Sequence, residues 1–362
     1  MTALKVALIG TGSISQLHAR ALAGLPDLFD IQWVCDVNEQ ASAAFVERFQ
    51  LRATCYADYQ ELLKQGKPDA AIVILPHFLH MPVARDLLAA GIPTLVEKPA
   101  VTSLAEARIL RDTAAQKQVP ILVGQTRRFT RDAAWLRGWA QSAPSPFGAL
   151  ETFEITAWQN IYSYLGGQNL GHWILDGKKA GGGIVISVAV HQIDLLRYLF
   201  GTDFSEVEAS GRFEAPLYNG AESAVTAMLR MDNGAMGTLH GNYLAQRVPY
   251  CESMRAFGSS GSVVQQTSAF GQYAGEFYYA STLGKDTTAW NDQFNDFARV
   301  PAEEVTGWDA DGFANQARNF YDVIVNGAAP VCSLDDNWNT LACIEAISEA
   351  MRARKTVTVQ KD

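Results

Sequence analysis

The chain has 362 residues, a net charge of −9, 48% hydrophobic residues and 19% charged ones. That length can hold two domains with separate cores, and the composition is that of an ordinary globular protein. The acidic balance argues against nucleic acid as the main partner, and no apolar run approaches the roughly 20 residues of a membrane span. The opening, MTALKVALIG, enters a strand directly and lacks the charged region, apolar core and cleavage site of an export signal. Cys35, Cys55, Cys251, Cys332 and Cys343 are scattered, with no CxxC, and read as reduced thiols. A cytoplasmic protein is the expectation.

In chain order, Leu4 to Ile9 reads as a strand, followed by Gly10-Thr11-Gly12-Ser13-Ile14-Ser15 and a helical pattern through Leu17, Ala21 and Leu22. A second apolar run, Ile31 to Cys35, stops at Asp36. Strand, glycine turn, helix, strand and acid make the order of a dinucleotide site. Gly10 permits the tight turn, and Gly12 lets the backbone approach a pyrophosphate at the helix N-terminus. Asp36, about 20 residues past the turn, can accept hydrogen bonds from ribose hydroxyls. The third glycine is replaced by Ser15, so helix and strand must pack around a small hydroxyl. The competing reading is an ordinary strand–helix turn with Ser13 as the helix cap.

Alternation continues to about residue 125. Helices are expected over 39–49, over 58–65 between Asp58 and Gly66, over 79–90, and from Ser103 to about Gln118. Ser103 and Glu106 there form a capping box. Strands are expected at Asp69–Leu75, Pro93–Val96 and Pro120–Gly124. Such alternation gives a doubly wound parallel sheet, which binds ligands at the carboxyl ends of its strands. Gly10–Ser15, Asp36, Pro76, His77, Glu97, Lys98 and Gln125 all fall at those ends. From residue 126 the texture changes to polar-alternating strands at 149–157, 207–213, 223–231 and 235–243. Asp232-Asn233-Gly234 is the hairpin turn between the last two. One long helix, Val188–Phe200, interrupts them. The expectation is a second, α+β domain over 126–362 with a large, open-faced, mostly antiparallel sheet. Its open face would pair with a second subunit if apolar. The last helices, Gly312–Val325 and Asp335–Arg352, are expected to pack back on the first domain or between domains.

Two constellations could carry chemistry. Glu97-Lys98-Pro99 ends a buried strand at the ligand-binding edge, and Pro99 fixes the backbone there. Lys98 can then hydrogen-bond a substrate hydroxyl, or it is a solvated lysine. Gly181-Gly182-Gly183 is followed by Ser187, His191 and Asp194, spaced i, i+4, i+7 on a helix. The glycines would let the backbone pass close to something bulky. His191 titrates near neutral pH and suits proton transfer, with Asp194 to orient it; a satisfied core histidine is the alternative. His18 reads as packing on the sheet, and His77 and His80 as bordering the cofactor. His172 and His240 carry no assignment, and no histidine pair has a zinc spacing, so no metal is expected. Aromatics at Trp158, Tyr162, Tyr164 and Trp173 are interleaved with Gln159, Asn160, Gln168, Asn169 and His172. This mixture suits a sugar ring, or is a polar loop with buried anchors.

Taken together, GTGSIS with His18-Ala19, Asp36, Pro76 to His80, the EKP at 97–99, the GGG at 181–183 with HQID at 191–194, and the segment near Gly327 to Ser333 resemble the Gfo/Idh/MocA oxidoreductases. The family is named for glucose–fructose oxidoreductase and inositol dehydrogenase. The resemblance runs nearly end to end. It implies a Rossmann domain over 1–125, an open-faced sheet domain, dimers or tetramers through that sheet, and hydride transfer between a nicotinamide and a sugar, polyol or related carbonyl. It implies cofactor contacts from Gly10, Thr11, Gly12, Ser13, Ile14, Asp36, Pro76, His77, His80, Glu97, Lys98 and Gln125. By motif match Lys98 would also contact substrate; Asn160, Tyr162, His172 and Trp173, from the aromatic loop, and Ser187 and His191 are the other candidate substrate contacts. His191 would exchange the proton and Asp194 would close the block. One departure stands out: inositol dehydrogenase-like members carry an aspartate four residues before the histidine, where this chain has Ser187. A serine cannot supply that negative charge. Asp36 would repel a 2′-phosphate and neither Val37 nor Asn38 offsets it, so NAD is expected over NADP. An NAD-dependent hydrolase or lyase with a closed redox cycle, and a non-catalytic regulator, are the alternatives to a dehydrogenase.

Overall fold

The computed structural model describes residues 3–167, 169–246, 250–266, 276–283 and 297–362. Gln168, placed among the sugar-contacting amides above, lies outside them. The chain divides into two compact units: residues 1–129 with 309–338, and 130–308 with 339–362.

The first unit holds a six-stranded sheet of β1 (Leu4–Ile9), β2 (Phe29–Cys35), β3 (Thr54–Tyr56), β4 (Ala70–Val73), β5 (Thr94–Glu97) and β6 (Ile121–Gly124). The order is β3-β2-β1-β4-β5-β6, and every pair is parallel. The order reverses between β1 and β4, where an open α/β sheet leaves a crevice for ligands. β4 and β5 are buried along their whole length, as strands covered on both faces must be. β3, three residues long, is absent from the sequence reading. The expected helices form as Glu39–Arg48, Tyr59–Gln65, His77–Ala89 and Leu104–Lys117. Asn38 and Asp58 cap the first two by accepting from Ala41 N and Gln60 N. The capping box is half made. Ser103 Oγ accepts from Glu106 N, while the Glu106 carboxylate turns to Thr102, accepting from both its N and Oγ1 at 2.8 Å. The late helix Gly312–Val325 belongs to this unit. Ala314, Ala317, Phe320 and Tyr321 join Val6, Leu8 and Leu22 in one core, and Tyr321 meets Phe29 edge-on at 5.8 Å. Trp338 is held between Arg108 and Arg111, their guanidinium carbons 5.6 and 5.0 Å from its ring.

The second unit holds a nine-stranded sheet: β7 (Leu150–Trp158), β8 (Phe204–Arg212), β9 (Ala224–Met231), β10 (Met236–Asn242), β11 (Cys251–Gly258), β12 (Gly261–Gln266), β13 (Glu276–Ser281), β14 (Ala298–Arg299) and β15 (Val357–Thr358). They lie in the order β14-β13-β12-β11-β7-β10-β9-β8-β15. β10 and β7 run parallel, and the other pairs are antiparallel. Gly234, at φ +88°, turns the hairpin between β9 and β10. Alternation sorts the faces: Phe153, Ile155, Leu229, Leu239 and Met254 point into the core, whereas Glu154, Thr226, Met228 and Thr238 are exposed. The helix Val190–Phe200 packs on the inner face against β7 and β11. A second helix, Arg131–Ala140, also packs on it, although the sequence reading has a single long helix here. The stretch Gly177–Phe200 is also long and apolar enough, by composition, to cross a membrane, contrary to the sequence reading. The most apolar 18-residue window within it is 94% buried inside the protein, which accounts for that composition.

Candidate active site

In the first unit the loop after β1 is built by a close approach. A Cβ on Gly10, at φ +105°, would lie 2.0 Å from the Ile74 carbonyl oxygen at the end of β4. Only glycine fits. Gly12 is different: a Cβ there would meet nothing within 4 Å, so its glycine keeps open the space above the loop. Ser15, in place of the third glycine, is fully buried and its hydroxyl donates to the Gly12 carbonyl. The serine thus fixes the loop from below. The helix Ser15–Ala23 begins at Ile14 with no side-chain cap, so the reading of Ser13 as a cap is not what forms. Its first N–H groups are left for an anion.

Asp36 ends β2 and braces this loop. Its Oδ2 accepts from Thr11 N at 2.9 Å and Thr11 Oγ1 at 2.7 Å, and its Oδ1 from Asn38 N at 3.0 Å. A carboxylate has about four acceptor positions, so one remains for a ribose hydroxyl. Val37 beside it is 90% exposed and brings no charge. Gln125, at the end of β6, is fully buried, and both polar atoms of its amide lack a partner among the described residues. A buried amide without partners is costly unless something else pairs with it. The open space over Gly12, the uncapped helix start and this amide fit a dinucleotide.

The EKP segment is anchored from beneath. Glu97 is buried; its Oε1 lies 2.8 Å from His18 Nε2 and its Oε2 accepts from Lys98 N at 3.0 Å. Burial pushes the carboxyl up, but the bond and charge of His18, the charge of Lys98 and its N–H hold it below the usual range. A Cβ on Gly124 would come within 3.0 Å of Glu97 Oε1, so the glycine ending β6 makes this room. Both Glu97 oxygens are engaged inside the protein. Its part is to support the backbone of half-buried Lys98, and the partner that does so, His18, is one the sequence reading set aside as packing. His80 is buried between two carbonyls, with Nδ1 2.8 Å from Pro99 O and Nε2 2.7 Å from Leu75 O. Burial holds it below the usual histidine range. As a neutral imidazole it has one N–H, which it donates to one of these two carbonyls at the ends of β4 and β5. His77 starts the helix after Pro76, its ring 5.9 Å from that of His80.

In the second unit the glycine run serves the chain itself. Gly181 and Gly182 have φ of +86° and +153°, and a Cβ on Gly183 would lie 1.9 Å from the Glu222 carbonyl oxygen. The bulky object they pass is the backbone of Glu222. The buried Glu222 carboxylate then accepts from Gly183 N and Val185 N, both at 2.8 Å, capping the helix that carries the site. Burial pushes this carboxyl up. Residues 185–189 form a π-helical turn before Val190–Phe200, a local widening that is frequent at functional sites. Ser187 and His191 lie on this stretch, 7% and 8% exposed. Ser187 lies near the buried Tyr243, whose phenol burial pushes up. Asp194 Oδ1 accepts from Thr340 Oγ1 at 2.9 Å, and Thr340 in turn accepts from Arg197. The carboxylate placed beside His191 is Glu252, at 3.8 Å. Glu222 and Glu252 are missing from the sequence reading; each comes from a strand or turn remote along the chain, and no local motif marks either.

In the aromatic loop, Asn160 Oδ1 caps a short helix by accepting from Ser163 N at 3.0 Å. His172 Nδ1 accepts from Ile174 N, its ring 5.4 Å from that of Trp173, and burial lowers its pKa. Tyr162 and Asn169 line a shallow depression with Ile161, Leu165, Leu175 and Pro216. His240 lies on the outer face of β10 against Thr226 Oγ1. The five cysteines are free thiols, and burial pushes Cys35 up to about 12.

Residues 4–125 match the family described as "Oxidoreductase family, NAD-binding Rossmann fold", and residues 147–264 match the Gfo/Idh/MocA C-terminal domain. The chain is 26% identical over 272 residues to the rhizopine catabolism protein MocA of Rhizobium meliloti, covering 72% of this chain and 78% of that one. It is 21% identical over 362 residues to the myo-inositol 2-dehydrogenase of Thermotoga maritima, covering 99% of each. Among solved structures, a levoglucosan dehydrogenase in complex with NADH and levoglucosan superposes with a TM-score of 0.84 at 22% identity, covering 99% of this chain and 100% of that one.

Proposed function

From the premise that this chain belongs to the Gfo/Idh/MocA family of NAD-binding oxidoreductases, we propose that it oxidises a hydroxyl-bearing carbon of an uncharged sugar, polyol or sugar derivative, or runs the reverse reduction. The observation that carries this is His191, a buried imidazole on a capped helix with a carboxylate beside it. NAD, when bound, takes the hydride and its two electrons. Gly10, Thr11, Gly12, Ser13 and Ile14 would hold its phosphates, Asp36 a ribose, and Gln125 would offer its unpartnered amide. Pro76, His77 and His80 shape the wall after β4. His191 takes the hydroxyl proton, leaving a carbonyl, and returns it to solvent; Lys98, at the end of β5, is a hydrogen-bond donor for a substrate hydroxyl. Asp194 supports the helix of His191 through Thr340. Asn160, Tyr162, His172 and Trp173 offer rings to C–H faces and polar atoms to hydroxyls, and Ser187 adds one more. The names of the relatives, an inositol and a levoglucosan dehydrogenase, support a neutral polyhydroxy substrate.

The test is NADH fluorescence on mixing protein and NAD with inositols, aldoses, anhydrosugars and glycosides. A rise with one class is expected, and Lys98→Met and His191→Ala should each cut turnover far more than NAD binding. Bound NAD with no net NADH from any class would overturn the dehydrogenase reading in favour of a closed redox cycle or a non-catalytic role. The same reading makes the protein a cytoplasmic homodimer or homotetramer joined through the outer face of the nine-stranded sheet. Met228 and Met236 are exposed on that face at 46% and 42%, and light scattering with Met228→Glu checks it.

A further inference from the structure

We propose that Glu252 is the positioning residue for His191, supplying from β11 the negative charge that Ser187 cannot supply from the helix. The inference rests on the acid/base role given to His191 above. Glu252 is the second residue of β11 and points inward, 2% exposed. Its Oε1 lies 3.8 Å from His191 Nε2. That is too long for a hydrogen bond and close enough for the charges to feel each other strongly in a buried setting. Two neutral donors also meet the carboxylate: Oε1 accepts from the Tyr250 hydroxyl, and Oε2 faces the Gln192 amide nitrogen at 3.4 Å. Gln192 follows His191 on the same helix, so one carboxylate faces two consecutive residues of the helix that follows the π-turn.

A buried carboxylate held by neutral donors is stabilised further when its basic neighbour gains a proton. Oxidation of a hydroxyl puts a proton on His191, and Glu252 favours that form. Other titratable groups lie around this stretch within the second unit. Glu222 takes the N–H groups of Gly183 and Val185, Asp194 takes the Thr340 hydroxyl, and Tyr243 is a neutral, buried phenol whose pKa burial raises. Tyr250 already donates to Glu252 itself.

The test follows the His191 ring by NMR through a pH titration, its signals assigned by their loss in His191→Gln. In Glu252→Gln the titration midpoint is expected at lower pH than in the wild type, because the charge favouring the imidazolium is gone. The acid limb of the kcat/KM profile should move the same way, and turnover should fall on the order of 10- to 100-fold with NAD binding unchanged. Glu252→Asp should keep most of the midpoint. The double variant Ser187→Asp with Glu252→Gln should recover part of the turnover, which a purely structural role for Glu252 would not allow. A midpoint unmoved in Glu252→Gln, or double and single variants of equal turnover, overturns the proposal. Should Glu252→Gln not fold, Glu252→Ala takes its place: a midpoint lowered as expected for Glu252→Gln supports the proposal, and an unchanged one overturns it. The NMR readout does not depend on turnover, so full activity in His191→Gln would instead overturn the acid/base role of His191 itself.

Discussion

Asp36 has two duties in one carboxylate. It pulls Thr11 into place through both the amide and the hydroxyl, and it lies where a ribose would be read. Removing it should therefore both loosen the loop and lift the repulsion on a 2′-phosphate. Asp36→Ala should lower the affinity for NAD and raise NADP use relative to NAD, and adding Val37→Arg at the exposed neighbour should raise it further. Cofactor titrations with both nucleotides check this, and an unchanged ratio in both variants would remove Asp36 from cofactor choice. Residues of this kind are legible in a sequence because loop, helix and acid lie within one short stretch with fixed spacing. His18 and Glu97 also occur in motifs, but their bond joins positions 79 residues apart. Spacing says nothing of it. Glu252 lies 60 residues from Gln192, the helix residue it holds, and belongs to no motif; only the register of β11 against β7 turns it inward.

At the level of elements, two glycines of similar sequence context do opposite work. Gly12 ends at open space, so Gly12→Ala should leave stability within about 0.5 kcal/mol of the wild type. The added methyl should instead weaken NAD binding. Gly183 meets the Glu222 backbone at 1.9 Å, so Gly183→Ala must displace the turn that caps the Ser187–His191 helix. It should cost about 1–3 kcal/mol or more, as overpacking does, while NAD binding persists. Thermal melts beside NAD titrations separate the two; equal loss of stability in both would contradict the difference in space. The same contrast explains which elements could be read. Parallel strands such as β4 are continuous apolar runs closed by turn residues. The helix Arg131–Ala140 buries only Ala133, Leu136 and Ala140 among charges and tryptophans. β11 to β13 have polar alternation interrupted by glycines. Their identity is set by their neighbours in the sheet, which a local pattern does not contain.

Across the whole molecule the buried titratable groups divide by unit, and so does their response to acid. Glu97 lies below the usual carboxylate range in the folded chain, so it binds its proton more weakly folded than unfolded. Its contribution to stability is intact above its ordinary value of 4.5 and is lost as pH falls through the depressed folded value. His80, lowered by burial, acts in the same direction, and the loss begins as pH falls below its ordinary 6.5. Both belong to the first unit. In the second unit Glu222 is raised by burial, and Asp132 is pushed up to about 6 by burial. Their protons favour the folded chain, so their contribution is complete below the ordinary carboxylate values and is lost as pH rises through the folded ones. His172 opposes them but is only part buried. Acidification from neutral to mildly acidic pH should therefore weaken the first unit relative to the second. Hydrogen exchange, corrected for its intrinsic pH dependence, should show protection falling in β1, β4 and β5 before β7, β9 and β10. Asp132→Asn should make the second unit less sensitive to pH near 6, and Glu97→Gln should flatten the acid limb of the first unit below 4.5. Loss of protection first in the second unit, or in both together with an unaltered limb in Glu97→Gln, would show that these buried groups do not govern the response.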